Sequence, residues 1–464
     1  LMIMKKQFFY AAMALAVMSS CSKDNDPGIG NPEENNDKAV IALGLDVPTV
    51  TASTRGTGSV GDVAGDQNTW NSQKLYIYMV DRNTGLEAEE GAENAKTKIL
   101  DNGVLEFRAP KADAKDKGAI RIYKSYTEDS DNGVIQYKYY PTNGQYTFYG
   151  YHIDDAANAN PSITATEKKV TGVTIDSTQD LLAAKTIDMA ENDATAADPE
   201  SFYKDIATSL GSEWTELMKY QFGARTARKG IVPVLKFEHQ LARLKFFVRA
   251  GSASAAGYEW QTSQWVERKS SDAAAKPLGM QVTKITLKDM ANVVDMDLTV
   301  PSSTRNGAGV ADFVVCSKDA AANNKLDPTK GLIDPVVPKY PYEDANIPAQ
   351  DPDTKGTQVG EPVMFFPIDD PDNGNITLSI DLKQYVEDTK DEATGTITYK
   401  EVEKADNKLI IDQSKISGAT KKFMPGASYN VYITIYGLEK IEVTAVLTAW
   451  ENGGDIDADI EDGK

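Results

Sequence analysis

"NITLSIDL" (375–382) alternates apolar and polar residues, so Ile376, Leu378, Ile380 and Leu382 fall on one side of an extended chain. A period of two marks a β-strand, and a single apolar face marks a sheet packed on one side. The same alternation runs through "KLYIYMV" (74–80), "GVLEFRA" (103–109), "AIRIYKSY" (119–126) and "GVIQYKYY" (133–140). It returns in "LKFFV" (244–248), "ITLKDM" (285–290), "YNVYITIYG" (429–437) and "IEVTAVLTAW" (441–450). Asn-Gly pairs at Asn102-Gly103, Asn132-Gly133, Asn143-Gly144 and Asn373-Gly374 supply hairpin turns between such runs. The chain reads as mainly all-β.

A length of 464 residues exceeds one ordinary core and points to two β-sandwich domains with a few short helices. The clearest helix follows "DPESF" (198–202), with Asp198 as N-cap and Pro199 at the first helical position. Phe202, Ile206, Leu210, Trp214 and Leu217 then form a core-facing stripe. A domain boundary falls near residue 230, because "RTARKGIVP" (225–233) is a basic link with breakers and "VLKFEHQLARLKFFV" (234–248) restarts strand patterning. The reading is therefore a first sandwich over 56–230 and a second over 231–464. An irregular stretch at about 316–362 carries Pro328, Pro335, Pro338, Pro341, Pro348 and Pro352. So many prolines cannot pair inside a sheet, and the stretch reads as a surface insertion.

The first 38 residues read as targeting sequence. Lys5 and Lys6 precede the apolar run "FFYAAMALAVM" (8–18), too short for a mature membrane span. "VMSSC" (17–21) resembles a bacterial lipobox, which implies a signal peptide over 1–20 and a lipid on Cys21. "SKDNDPGIGNPEENNDK" (22–38) has the composition of a flexible tether, so 21–38 reads as a lipidated linker. Its "SKDND" start resembles the acidic signal that sends some lipoproteins to the outer face of the outer membrane. With Cys21 lipidated, Cys316 is left without an intramolecular partner and reads as a buried thiol.

Composition limits the chemistry. A net charge of −20 leaves no basic stripe for a phosphate backbone, which argues against nucleic acid. The two histidines, His152 and His239, are far apart, and His239 sits in an apolar strand pattern as a structural residue. "DDPDNGN" (369–375) lacks EF-hand spacing and reads as a turn. No phosphate-binding loop, dinucleotide fingerprint or zinc-protease motif occurs. Acidic residues are too numerous for one catalytic pair to stand out. The reading is a non-enzyme without cofactor or metal.

One arrangement asks for a purpose. "AVIALGLDV" (39–47) puts Ile41, Leu43, Leu45 and Val47 on one face, and the Gly/Ser/Thr-rich "TASTRGTGS" (51–59) follows with the first arginine of the chain, Arg55, and then Gly56. Gly56 and its small neighbours give a protease an extended, pliable backbone.

The lipobox, this strand and arginine loop, "LKFEHQLARLKFFV" (235–248), "FMPGASYNVYITIYGLEKIEVTAVLTAW" (423–450) and the acidic tail "ENGGDIDADIEDGK" (451–464) occur in order. Together they resemble the fimbrillin family, subunits of type V pili, in the major-subunit branch of the short fimbriae. "YYPTNGQYTFYGYH" (139–152) and "TQDLLAA" (178–184) resemble that family's first domain. The resemblance implies transthyretin-like sandwiches and a lipoprotein precursor carried to the outer membrane. It implies a cut after Arg55 by an Arg-specific surface protease, and loss of 39–55 as a removable strand. It also implies strand exchange with copies of the chain and other pilus subunits, with Ile441, Val443, Ala445 and Leu447 as donor residues from 429–450. Adhesion and biofilm formation are the role that follows. Two other readings are a monomeric surface lipoprotein that binds glycans and a secreted hydrolase.

Overall fold

A computed structural model describes residues 39, 41, 43–46, 74–91, 95–100, 103–108, 119–122, 138–153, 164–177, 179–189, 203–261, 264–271, 276–307, 309–318, 356–368, 374–416, 422–438 and 441–448. Most period-two runs become strands where they are described, and the protein is an all-β sandwich structure.

The first sheet takes in β1 (Gly44–Asp46), β2 (Lys74–Asp81), β3 (Gly103–Arg108), β4 (Ala119–Ile122), β5 (Tyr146–Ile153), β7 (Leu181–Thr186) and β8 (Val234–His239). Their order is β1-β8-β7-β5-β2-β3-β4. This sheet is buried on both faces, which explains the nearly unbroken apolar run of β2. Leu75, Ile77 and Met79 face one core, and Tyr78 and Val80 face another.

The first of those cores is closed by helices α1 (Lys204–Leu210) and α2 (Ser212–Met218), followed by α3 (Ala224–Ala227). Of the expected stripe, Trp214 and Leu217 are buried there and Ile206 and Leu210 are half-buried against it, while Tyr203 and Ala207, outside the stripe, are buried as well. The expected single helix is instead broken at Gly211, whose φ of 55° is left-handed and suits glycine. Asp198, Pro199 and Phe202 lie outside the described residues.

The second half is a sandwich. One sheet has the order β14-β9-β17-β18, built from β9 (Ala242–Ala250), β14 (Thr357–Phe365), β17 (Ser428–Ile435) and β18 (Ile441–Thr448). The facing sheet has the order β13-β10-β15-β16, from β10 (Gln281–Ala291), β13 (Val310–Ser317), β15 (Ile376–Lys390) and β16 (Ile397–Ile411). Phe246 and Val248 of β9, Val431 and Ile433 of β17, and Ile285 and Leu287 of β10 meet in its core. Ile376, Leu378, Ile380 and Leu382 are buried in the same core, on the face their alternation marks.

The halves are stitched together. β6 (Lys169–Thr174) from the first half pairs antiparallel with β11 (Val293–Asp297), which also pairs with β12 (Ser302–Arg305). Tyr151, Ile153, Val170 and Val173 therefore share one apolar cluster with Leu244 and Phe246. "VLKFEH", read as the opening of the second half, hydrogen-bonds into the first sheet, and the chain changes sheets at Gln240 and Leu241.

Two local expectations change. Residues 138–140 of "GVIQYKYY" form no regular strand. Cys316 lies in β13, which ends at Ser317, and residues 357–362 belong to β14, so strands occupy both margins of the proline-rich stretch. Residues 319–355, like 369–373 of the acidic turn, lie outside the described residues. Cys316 is buried, as its apolar run predicts.

Candidate assembly site

The first strand is a filler. Leu45 pairs with Leu235 in parallel register, between Gly44–Val234 and Asp46–Lys236. Upstream, the backbone N–H of Ile41 donates to the carbonyl of Lys138 at 2.8 Å, and that of Tyr140 donates to Ala39 at 2.9 Å. Ala39, Ile41 and Leu43 are buried against the helix-side core, together with Phe148, Leu235 and Phe237. Tyr140, buried itself, closes the seat with ring centroids 5.9 Å from Tyr146 and 6.3 Å from Phe148. Burial holds the Tyr140 phenol protonated far above its ordinary range. The clamp of Lys138 and Tyr140 was not foreseen; its sequence signal was only the aromatic density of "YKYYPTNGQY".

The last strand lies at the other end of the chain and on the border of another sheet. Among the described residues β18 pairs with β17 alone, in antiparallel register from Ile441–Ile435 to Thr448–Ser428. Ile441 and Val443 are half-buried and pack on the second-half core. Ala445 and Leu447 stand opposite Val431 and Tyr429. β17 in turn pairs in parallel with β9. In this fold β18 completes its own sheet. Cys21, Val47, Arg55 and Gly56 lie outside the described residues.

A buried polar cluster sits where the chain changes sheets. His239 Nδ1 lies 2.7 Å from Asp180 Oδ2, and both side chains are almost fully enclosed. Arg243, 1% exposed, donates from Nε to Ser428 Oγ at 3.0 Å. Burial lowers its guanidinium to about 10, and the Asp180 charge works in the opposite sense. His239 is buried beside a carboxylate partner on β8, the placement its apolar strand pattern implies. His152 is buried on β5. Among the described residues, no group of three or more His, Cys, Asp or Glu is placed to hold a metal, and no helix is long and apolar enough to cross a membrane.

No family model and no curated protein matches the chain. Among solved structures, it is similar at 11% identity and a TM-score of 0.38 to a provisionally described cell adhesion protein of Bacteroides uniformis, over 89% of this chain and 98% of that one. A provisionally described cell adhesion protein of Bacteroides fragilis matches at 13% identity and a TM-score of 0.35, over 90% and 99%. A provisionally described polysaccharide-binding protein of Bacteroides thetaiotaomicron matches at 9% and 0.30, over 87% and 95%.

Proposed function

We propose that this chain is a structural subunit of a surface pilus, made as a lipoprotein precursor on Cys21 and activated by a cut after Arg55. The observation that carries the reading is the position of β1, a sheet-edge strand whose Ile41 and Leu43 fill a core. Its removal with residues 39–55 uncovers a groove beside β8, with unpaired backbone groups along the rim, and such an edge templates another chain. The donor is β18 of the next subunit, itself a sheet-edge strand, offering Ile441, Val443, Ala445 and Leu447. Burying Ile441, Val443 and Leu447 contributes roughly 1.5–3 kcal/mol each, with Ala445 adding less, which makes the joint long-lived. Head-to-tail exchange does not close on itself, so filaments follow.

The test incubates lipid-free precursor with a trypsin-like protease, followed by N-terminal sequencing and electron microscopy. The expected result is a new N-terminus at Gly56 with growing filaments, both abolished in Arg55→Ala. A chain that is cut at Arg55 and stays monomeric overturns the reading.

A further inference from the structure

β5 and β7 pair from Ile153–Leu181 to Tyr149–Lys185, and there the ladder stops. At the next position, the Thr186 hydroxyl enters the seam. The N–H of Phe148 donates to Thr186 Oγ1 at 2.6 Å, and Oγ1 donates to the Phe148 carbonyl at 2.8 Å. A side chain between two backbones holds them apart, while β7 continues beside β8 with Thr186 opposite Leu235. At this parting lies a cavity of about 260 Å³, lined in part by Thr147, Tyr149, Thr186 and Phe222.

The charges around it do not cancel. Asp81, Arg82, Lys168, Lys185 and Asp188 also line the cavity. Asp81 Oδ1 already accepts from the backbone N–H groups of Asn83 and Thr84 at 2.7 and 3.1 Å. Asp188 Oδ2 is paired with Arg82 at 3.2 Å. Asp297, which acts electrostatically on Tyr149, is taken up by Thr299 at 2.8 and 2.6 Å. Lys168 and Lys185 are half-buried and have no carboxylate partner among the described residues. Lys185 instead stands opposite Lys236 across the β7–β8 pair, and that lysine turns to Glu238 at 3.1 Å. Arg82, Lys168 and Lys185 stand against Asp81 and Asp188, so the lining carries one positive charge in excess, and on a chain of net charge −20 that excess makes the cleft a local attraction for an anion.

We propose that this cavity binds a sugar acid, its carboxylate held by Lys168 and Lys185 and its ring laid against Tyr149. The volume is just below the ~300–1,000 Å³ of pockets that enclose drug-sized ligands, which suits one sugar unit. Burial keeps the Tyr149 phenol protonated and able to donate to a hydroxyl, and Thr147 adds a second hydroxyl to the lining. The proposal stands independently of strand exchange, because every residue it uses lies outside β1 and β18.

The test is titration of the intact chain with D-glucuronate at neutral pH and low salt, followed by calorimetry, with D-glucose and inorganic phosphate as controls. Glucuronate is expected to bind, and glucose and phosphate to bind at least tenfold more weakly. Lys185→Ala and Lys168→Ala should each cost about tenfold in affinity. Lys168 lies in the turn anchored by Thr166, so its variant leaves the sheet ladder intact, and an unchanged melting temperature checks this. Phosphate binding as tight as glucuronate overturns the sugar, and glucose binding as tight overturns the role of charge. No heat with any probe, or full affinity in both lysine variants, overturns the site.

Discussion

His239 and Asp180 meet at 2.7 Å inside the protein, where the chain leaves the first sheet for the second. Asp180 also caps its own strand, with Oδ1 accepting from the Leu181 N–H at 2.8 Å, and it faces the Arg243 guanidinium. A buried charge is costly alone and tolerable in company, so the cluster is held by mutual dependence. Asp180→Ala is expected to destabilise the chain by about 3–5 kcal/mol, the range for removing one partner of a buried pair. Urea unfolding measures it, and a loss under about 1 kcal/mol would show that the cluster is not buried as described.

Lys245 gives the fold a pH signature. Burial first, and the Arg243 charge second, lower its ammonium from 10.5 to about 8. Between those values the unfolded chain binds a proton that the folded chain has released, so stability rises with pH from about 8 toward 10.5. Arg243, lowered to about 10, adds a rise only above that value. Tyr146 and Tyr429, pushed up to about 12 by burial, act in the opposite sense, their contribution intact below 10 and lost as pH climbs to 12. Stability measured from pH 8 to 10 should therefore increase in the parent chain and stay flat in Lys245→Met. Equal slopes in the two would remove Lys245 as the cause.

The first strand should matter to the precursor by itself. Ile41→Ala and Leu43→Ala each open a hole in the helix-side core, at an expected cost of about 2–5 kcal/mol for a buried aliphatic side chain. Chemical denaturation of uncleaved chain reads that cost. After cleavage and loss of 39–55 the same substitutions should have no effect, since the residues are gone. A lasting difference between variant and parent after processing would mean that the strand stays in place.

Much of this was legible in advance, and the limits have a physical cause. Alternation needs only neighbours in sequence, so the buried faces of Ile376–Leu382 and of Ile41 and Leu43 could be read directly. β2 carries apolar residues on both sides, and nothing local says that a second core covers the other face. The seam between the halves is also non-local: the Gly172 N–H donates to Asp295, 123 positions away, at 2.9 Å. The same holds for Asp180 with His239, and for the cavity that gathers Arg82, Lys168 and Lys185 from three separate segments. "FYKDIATSLGSEWTELM" carried its helical stripe openly, and its break needed only the single glycine at 211.

The last strand separates closing a domain from joining subunits. Ile441 and Val443 are half-buried on the second-half core, so replacing both by Ala should cost the monomer less than two fully buried sites would, about 2–4 kcal/mol in all. In a strand-exchanged polymer the same faces enter a neighbour's groove, where loss of apolar area weakens every joint along the filament. The double variant should thus be cut at Arg55 at the parent's rate, remain folded by circular dichroism, and give filaments that are fewer and more easily separated by detergent and heat. Filaments as resistant as the parent's would mean that β18 belongs only to its own sheet and that another segment makes the joint.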